Sequence, residues 1–138
     1  MTRLLHSHPK LRNAQVLAAD QFIDEMKIGT KVLFIVNNQP LSEPGEHWLA
    51  VSTLQKPNEF FDSFGHDASF YNSDFCKYLK PYVFNKKCLQ GSGSNVCGLY
   101  SVFFLLKHVN GMTLECIVNL FSNDVYKNDY RIVKLMNE

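Results

Sequence analysis

Cys97 stands where a thiol becomes reactive. It follows the glycine-rich run "QGSGSNV" and opens the most apolar helical stretch of the chain, Cys97 to Val109. A sulfur at a helix N-terminus lies at the positive end of the macrodipole, beside backbone N–H groups that have no helical partner. Both effects stabilise the thiolate, which lowers the thiol pKa and raises nucleophilicity at neutral pH. The glycines let a substrate backbone approach, and the free N–H groups can face an oxyanion. The same residue also reads as a small buried hydrophobe, the ordinary state of a free cysteine.

A thiol nucleophile needs a base. His47, in "GEHWLAV", can take the thiol proton and pass it to a leaving amine. It also reads as a structural histidine at a strand entry. Asp62, in "FFDSFG" fifteen residues on, can hold the imidazole tautomer if a hairpin brings the two together. Its plainer reading is a turn residue closing a strand. Gln90 lies seven residues before Cys97, and its side-chain N–H could join the Cys97 backbone N–H in an oxyanion hole. Alone, it reads as a polar residue ending a strand. Trp48, the only tryptophan, is expected to cover His47 and shield it from water, or simply to fill the core.

The elements that would position these groups follow from periodicity. "AADQFIDEMKIG" predicts a helix capped by Asp20, with Phe22 and Met26 on one face and Gly29 as its stop. Residues 31–36, "HWLAVSTL" and "EFFDSFG" predict three strands, the last two joined by a short turn and hence antiparallel. "SFYNSDFCKYLK" places Tyr71, Phe75, Tyr78 and Leu79 at helical spacing before Pro81. "PYVFNKKCLQ" predicts a further strand. Thr113 can cap a helix, with Met112 and Ile117 meeting across the cap, and a last helix is expected from about Asp129 to Met136. The expectation is an α+β domain, with a central antiparallel sheet packed on a buried helix that starts at Cys97.

Bulk properties narrow the class. The 138 residues predict a single domain spanning 1–138, and 46% hydrophobic content suffices for a packed core. The net charge of +1 gives no electrostatic reason to expect nucleic-acid or membrane binding. No apolar run reaches the roughly 18 residues of a membrane span. Cys76, Cys88, Cys97 and Cys116 form no C-x-x-C pair, so free thiols in a reducing compartment are expected and a zinc site is not. The pair His6 and His8 lies in what reads as a mobile terminus without a third ligand.

Taken in order, "PGEHWLAV", "FFDSFG", "LQGSGSNVCGLYSVFFLL" and "GMTLECIVNLFSNDVYKNDYRIV" resemble the adenain-type cysteine proteases. That group includes the adenovirus maturation protease and its relatives in Polinton/Maverick elements and related viruses. The likeness runs from about Ala18 onward, and the tail is nearer the Polinton type. It implies a papain-like cysteine protease fold of the adenain/deSUMOylase type, in the chain order His, Asp, Cys. It implies that His47, Asp62 and Cys97 are catalytic and that Gln90 serves the oxyanion. The activity implied is endopeptidase cleavage of viral capsid or core precursors, with no cofactor. The implied setting is intracellular: the host nucleus, a viral factory or the packaged virion. Removal of ubiquitin-like modifiers by the same triad is the rival reading. The adenovirus enzyme also uses an activating peptide and DNA. Here Cys76 and Cys88 do not stand at the expected spacing for that peptide, and the charge balance gives DNA activation little support. Many relatives carry a further cysteine soon after Cys-Gly, where this chain has "LYS".

Overall fold

A computed structural model describes residues 1–137. In chain order the elements are α1 (Thr2–His6), β1 (Gln15–Leu17), α2 (Ala19–Ile28), β2 (Leu33–Asn37), β3 (Trp48–Ser52), β4 (Asn58–Phe61), α3 (Ala68–Tyr71), α4 (Ser73–Leu79), β5 (Tyr82–Phe84), α5 (Cys97–Val109), α6 (Leu114–Val118) and α7 (Val125–Met136). The five strands form one sheet in the order β1-β2-β3-β4-β5.

The centre of this sheet is antiparallel as expected, with Ala50 opposite Ile35 on one side and Phe61 on the other. Its two edges are parallel: β1 beside β2, and β5 beside β4. The expectation of an antiparallel sheet therefore needs correction at both edges. The connections explain it. A tight link returns the chain antiparallel, whereas a helix placed between strands carries it back to start in the same direction. Helix α2 lies between β1 and β2, and α3 and α4 lie between β4 and β5.

Strand alternation divides the core into two layers. Phe34, Val36, Leu49, Val51 and Phe60 face Phe22 of α2 and Phe75 and Leu79 of α4. Phe22 meets Phe34 and Phe75 edge-on at 5.1 and 5.5 Å between ring centroids. Leu33, Ile35, Ala50 and Phe61 face the other way, onto α5. There Phe61 stacks on Phe104 at 4.9 Å. Seven residues of α5 are buried, from Cys97 to Leu105. Each large apolar side chain among them contributes about 1.5–3 kcal/mol relative to exposure. This burial holds the N-terminus of α5 against the start of β3.

Several boundaries differ from expectation. Helix α5 matches the expected Cys97–Val109, and Thr113 Oγ1 caps α6 by accepting from Cys116 N–H at 3.2 Å. Gly29 ends α2 in the left-handed region. Asp20, however, does not cap α2: it lies inside the helix and accepts from Leu41 N–H at 2.9 Å. The helical run 69–80 breaks into α3 and α4 at Asn72, whose side chain caps α4 by accepting from Asp74 N–H. A residue that offers its own capping acceptor competes with helix continuation. Helix α7 starts at Val125, because Asp124 accepts from both Tyr126 and Lys127 N–H.

The N-terminus is packed, contrary to the expectation of a mobile one. Leu5 and Leu11 are fully buried in the layer that holds α5. His6 Nε2 lies 3.0 Å from the Ala14 carbonyl, which engages that ring in local structure. No described helix is long and apolar enough to cross a membrane.

Candidate active site

Three elements meet at one end of the sheet. His47 enters β3, Asp62 follows β4, and Cys97 opens α5. The β3–β4 pairing brings the first two together: His47 Nε2 lies 2.6 Å from Asp62 Oδ1. With Nε2 engaged, Nδ1 is the ring nitrogen left to serve Cys97, whose sulfur lies near enough to the imidazole for the two charges to stabilise each other. The sulfur also accepts from Trp48 N–H at 3.5 Å and from Gly98 N–H. Ser101 Oγ donates to the Trp48 carbonyl at 3.2 Å and so ties β3 to the first turns of α5.

The charges are matched across this line. Burial opposes ionisation of the Cys97 thiol, but hydrogen bonds from His47 and two backbone N–H groups outweigh it and hold the pKa below 9.0. Burial likewise penalises the imidazolium, yet hydrogen bonds to Asp62 and Cys97 raise His47 from 6.5 to about 9. The two shifts work together: the thiol ionises more readily beside a ring that holds its proton. His47 and Cys97 are 7% and 8% exposed, so both remain reachable from solvent.

Asp62 is fully buried and supplied with donors. Oδ1 accepts from His47 and, at 3.0 Å, from Phe64 N–H. Oδ2 accepts from Tyr71 O–H at 2.6 Å and His66 N–H at 3.1 Å. Burial alone would raise this carboxyl, but these bonds bring it below 3.8 and keep it ionised. Gly65 makes the turn possible. Its φ of +79° is left-handed, its N–H donates to the Asp62 carbonyl at 2.8 Å, and a Cβ there would meet the Lys86 and Lys87 backbone at 2.9 Å. Asn85 clamps the same backbone: it accepts from Asp62 N–H at 3.0 Å and donates to its carbonyl at 2.5 Å.

Gln90 reaches the cleft from below. Ser63 Oγ donates to its Oε1 at 2.5 Å, which sets the amide orientation. Its Nε2 then donates to the Ser94 carbonyl at 3.1 Å and to Ser94 Oγ at 3.0 Å. Both amide hydrogens serve the 91–95 loop in this state. Asp129 of α7 holds that loop's start by accepting from Gly91 N–H at 3.1 Å, and accepts from Tyr100 O–H at 2.8 Å.

Trp48 is not the ring that covers His47. Phe64 and Tyr71 stack there, with centroids 4.8 and 5.6 Å away. Trp48 packs in the α5 layer, where its Cδ1 comes close to Gly98. Neighbouring residues of an extended chain point to opposite faces, so His47 and its immediate successor cannot share one. Tyr71, Asn85, Ser63 and Asp129 are not legible in the sequence as site residues. Tyr71 has the spacing of an apolar helix face, yet its hydroxyl donates to Asp62. His47, Trp48, Phe64, Tyr71, Gln90 and Cys97 all line one open cleft of about 700 Å³.

No family model and no curated protein matches this chain. Among solved structures, AvrA, described as "AvrA delL154 with IP6, CoA", is similar to it with a TM-score of 0.51 and 18% identity. The match covers 85% of this chain and 52% of the AvrA chain, so the chain spans about half the length of that neighbour. At this identity the likeness shows the fold: an α+β arrangement of the papain/adenain-like cysteine-protease type.

Proposed function

We propose that this chain is a cysteine endopeptidase that matures structural precursor proteins of a virus or mobile element. The single observation that carries the reading is the buried line from Asp62 through His47 to Cys97, with the thiol lowered and the imidazole raised. In this reading the Cys97 thiolate attacks a scissile carbonyl and forms a C–S bond. The Cys97 N–H and one Gln90 amide hydrogen, taken over from Ser94, stabilise the oxyanion. His47 protonates the departing amine, then takes a proton from the water that hydrolyses the thioester. Asp62 holds the ring and its charge throughout. Polypeptide precursors are the partners, and the host nucleus, viral factory or virion is the setting.

A second reading rests on the CoA printed with AvrA. The same thioester can pass its acyl group to an amine or hydroxyl instead of water. One experiment separates the readings. The protein is incubated with glycine-containing capsid precursors, and separately with acetyl-CoA and the same proteins, followed by mass spectrometry. Cleavage that disappears in Cys97→Ala supports the endopeptidase. Acetylation without cleavage supports the transferase. Cleavage near wild type in Cys97→Ala removes Cys97 as nucleophile. Thermal stability should stay within about 1–2 kcal/mol, because little buried volume is lost.

A further inference from the structure

A second set of reactive side chains lies at the opposite end of α5. His108, in the last turn, is eleven residues from Cys97. At the rise of an α-helix this is roughly 16 Å, too far for the two to share a substrate carbonyl. Ser52 Oγ, at the exit of β3, lies 2.9 Å from His108 Nε2. Glu59 Oε2, on β4, lies 2.8 Å from His108 Nδ1. The same three elements that place His47, Asp62 and Cys97 thus place a serine, a carboxylate and an imidazole at their far ends.

The roles are those of nucleophile, base and orienting acid. Glu59 Oε1 accepts from Leu114 N–H at 3.2 Å, which anchors the carboxylate on α6. Oε2 is close to Nδ1 but sits off the N–H direction, so this buried Nδ1 has no aligned acceptor among the described residues. An unsatisfied buried donor favours the small carboxylate turn that would bring Oε2 into line. The His108 ring is stacked on Phe104 at 5.7 Å, which fixes its plane.

Ser52, His108 and Glu59 line a cleft of about 480 Å³. Leu54, Val83, Val109 and Met112 supply its apolar wall, and Lys56 supplies a cation. We propose that Ser52, His108 and Glu59 form a second acyl-transfer site, which hydrolyses short-chain carboxylic esters through a Ser52 acyl-enzyme. Ser52 Oγ bonds to the ester carbonyl carbon while its proton passes to His108 Nε2. The C–O bond to the alcohol breaks, and the alcohol leaves with that proton. Water then attacks the acyl-serine and gives a proton to His108, which passes it to Ser52 Oγ as the acyl C–O bond breaks, releasing the acid and restoring the hydroxyl. The helix C-terminus disfavours a developing oxyanion, so a substrate with a good leaving group suits the site better than an amide. The apolar wall suits an acyl chain of a few carbons. The inference does not depend on the activity of Cys97.

The test uses the full chain carrying Cys97→Ala, so that the first site is silent. p-Nitrophenyl butyrate measures hydrolysis, and a fluorophosphonate probe measures nucleophilicity by forming an O–P bond to serine with loss of fluoride. The expected result is hydrolysis above buffer and probe attachment mapped by mass spectrometry to Ser52. Adding His108→Ala should slow labelling about 100-fold, the worth of a general base. Adding Ser52→Ala should abolish both signals while thermal unfolding remains cooperative. If folded Cys97→Ala protein takes no label at Ser52, or hydrolysis persists in the Ser52→Ala variant, the three residues are a structural clasp and the proposal fails.

Discussion

At the residue scale, Asp62 departs most from its appearance in the sequence. A carboxylate with four donors is fixed in place and in charge, so its hold on His47 depends on how those donors share it. Tyr71 is the side-chain donor besides His47, and burial with Asp62 beside it keeps its phenol protonated. Tyr71→Phe keeps the ring stacked on His47 but removes the 2.6 Å bond. The carboxylate then concentrates its charge on His47, which raises the imidazolium pKa further. We expect the alkaline limb of kcat/KM to move to higher pH, with turnover lower by about tenfold. An unchanged pH profile would reduce Tyr71 to a packing role. The variant tests positioning, because a purely structural residue would alter stability without moving the limb.

At the element scale, helix α7 supports the cleft from a distance. Asp129 joins α7 to Gly91 at the start of the 91–95 loop and to Tyr100 inside α5. Asn128 Nδ2 adds a bond to the Leu89 carbonyl at 3.1 Å. The loop bears Ser94, the partner of Gln90, so the placement of α7 reaches the oxyanion side of the cleft. Asp129→Ala leaves Gly91 N–H without its acceptor and Tyr100 O–H with only its longer bond to the Leu89 carbonyl, at 3.3 Å. It should cost about 1–3 kcal/mol in urea unfolding. It should also lower kcat more than it raises KM, since the loop orients a group that acts on the transition state. Loss of stability with unaltered kcat would detach α7 from the chemistry.

At the scale of the whole molecule, pH and the N-terminus are the informative probes. The folded pKa of His47 is raised from 6.5 to about 9, so its contribution to stability is complete below pH 6.5 and lost as pH rises through about 9. Asp62 is depressed below 3.8, so its contribution is complete above that value and lost as pH falls through its folded pKa. Stability measured by urea unfolding should therefore fall on both sides of a plateau. Activity should follow a bell whose alkaline limb lies near pH 9, where the imidazolium proton is lost. A limb near 6.5 would show that the ion pair does not form. The N-terminus supplies a separate test. Leu5 is fully buried in the layer that holds α5, so Leu5→Ala should destabilise by about 2–5 kcal/mol. A shift below half a kilocalorie, roughly the range of surface substitutions, would return this segment to the surface.

Local chemistry makes much of the site readable from residue types and spacing. Cys97 stands out through a glycine-rich run followed by an apolar helical stretch, and α5 begins at that residue. His47 and Asp62 directly flank strands that a short turn pairs, and pairing register is a local property of a hairpin. What depends on distant segments stays hidden. The donors on Asp62 include Tyr71, from a helix that periodicity merges with its neighbour. Gln90 is placed by Ser63, and the start of the 91–95 loop by Asp129, across separations that no pattern encodes. The face taken by Trp48 and the parallel sheet edges likewise follow from packing and from where helices interrupt the strands. Sequence determines which groups are available and which local turns they favour. Tertiary structure decides which of them meet, because burial makes each polar group find a partner wherever the fold supplies one.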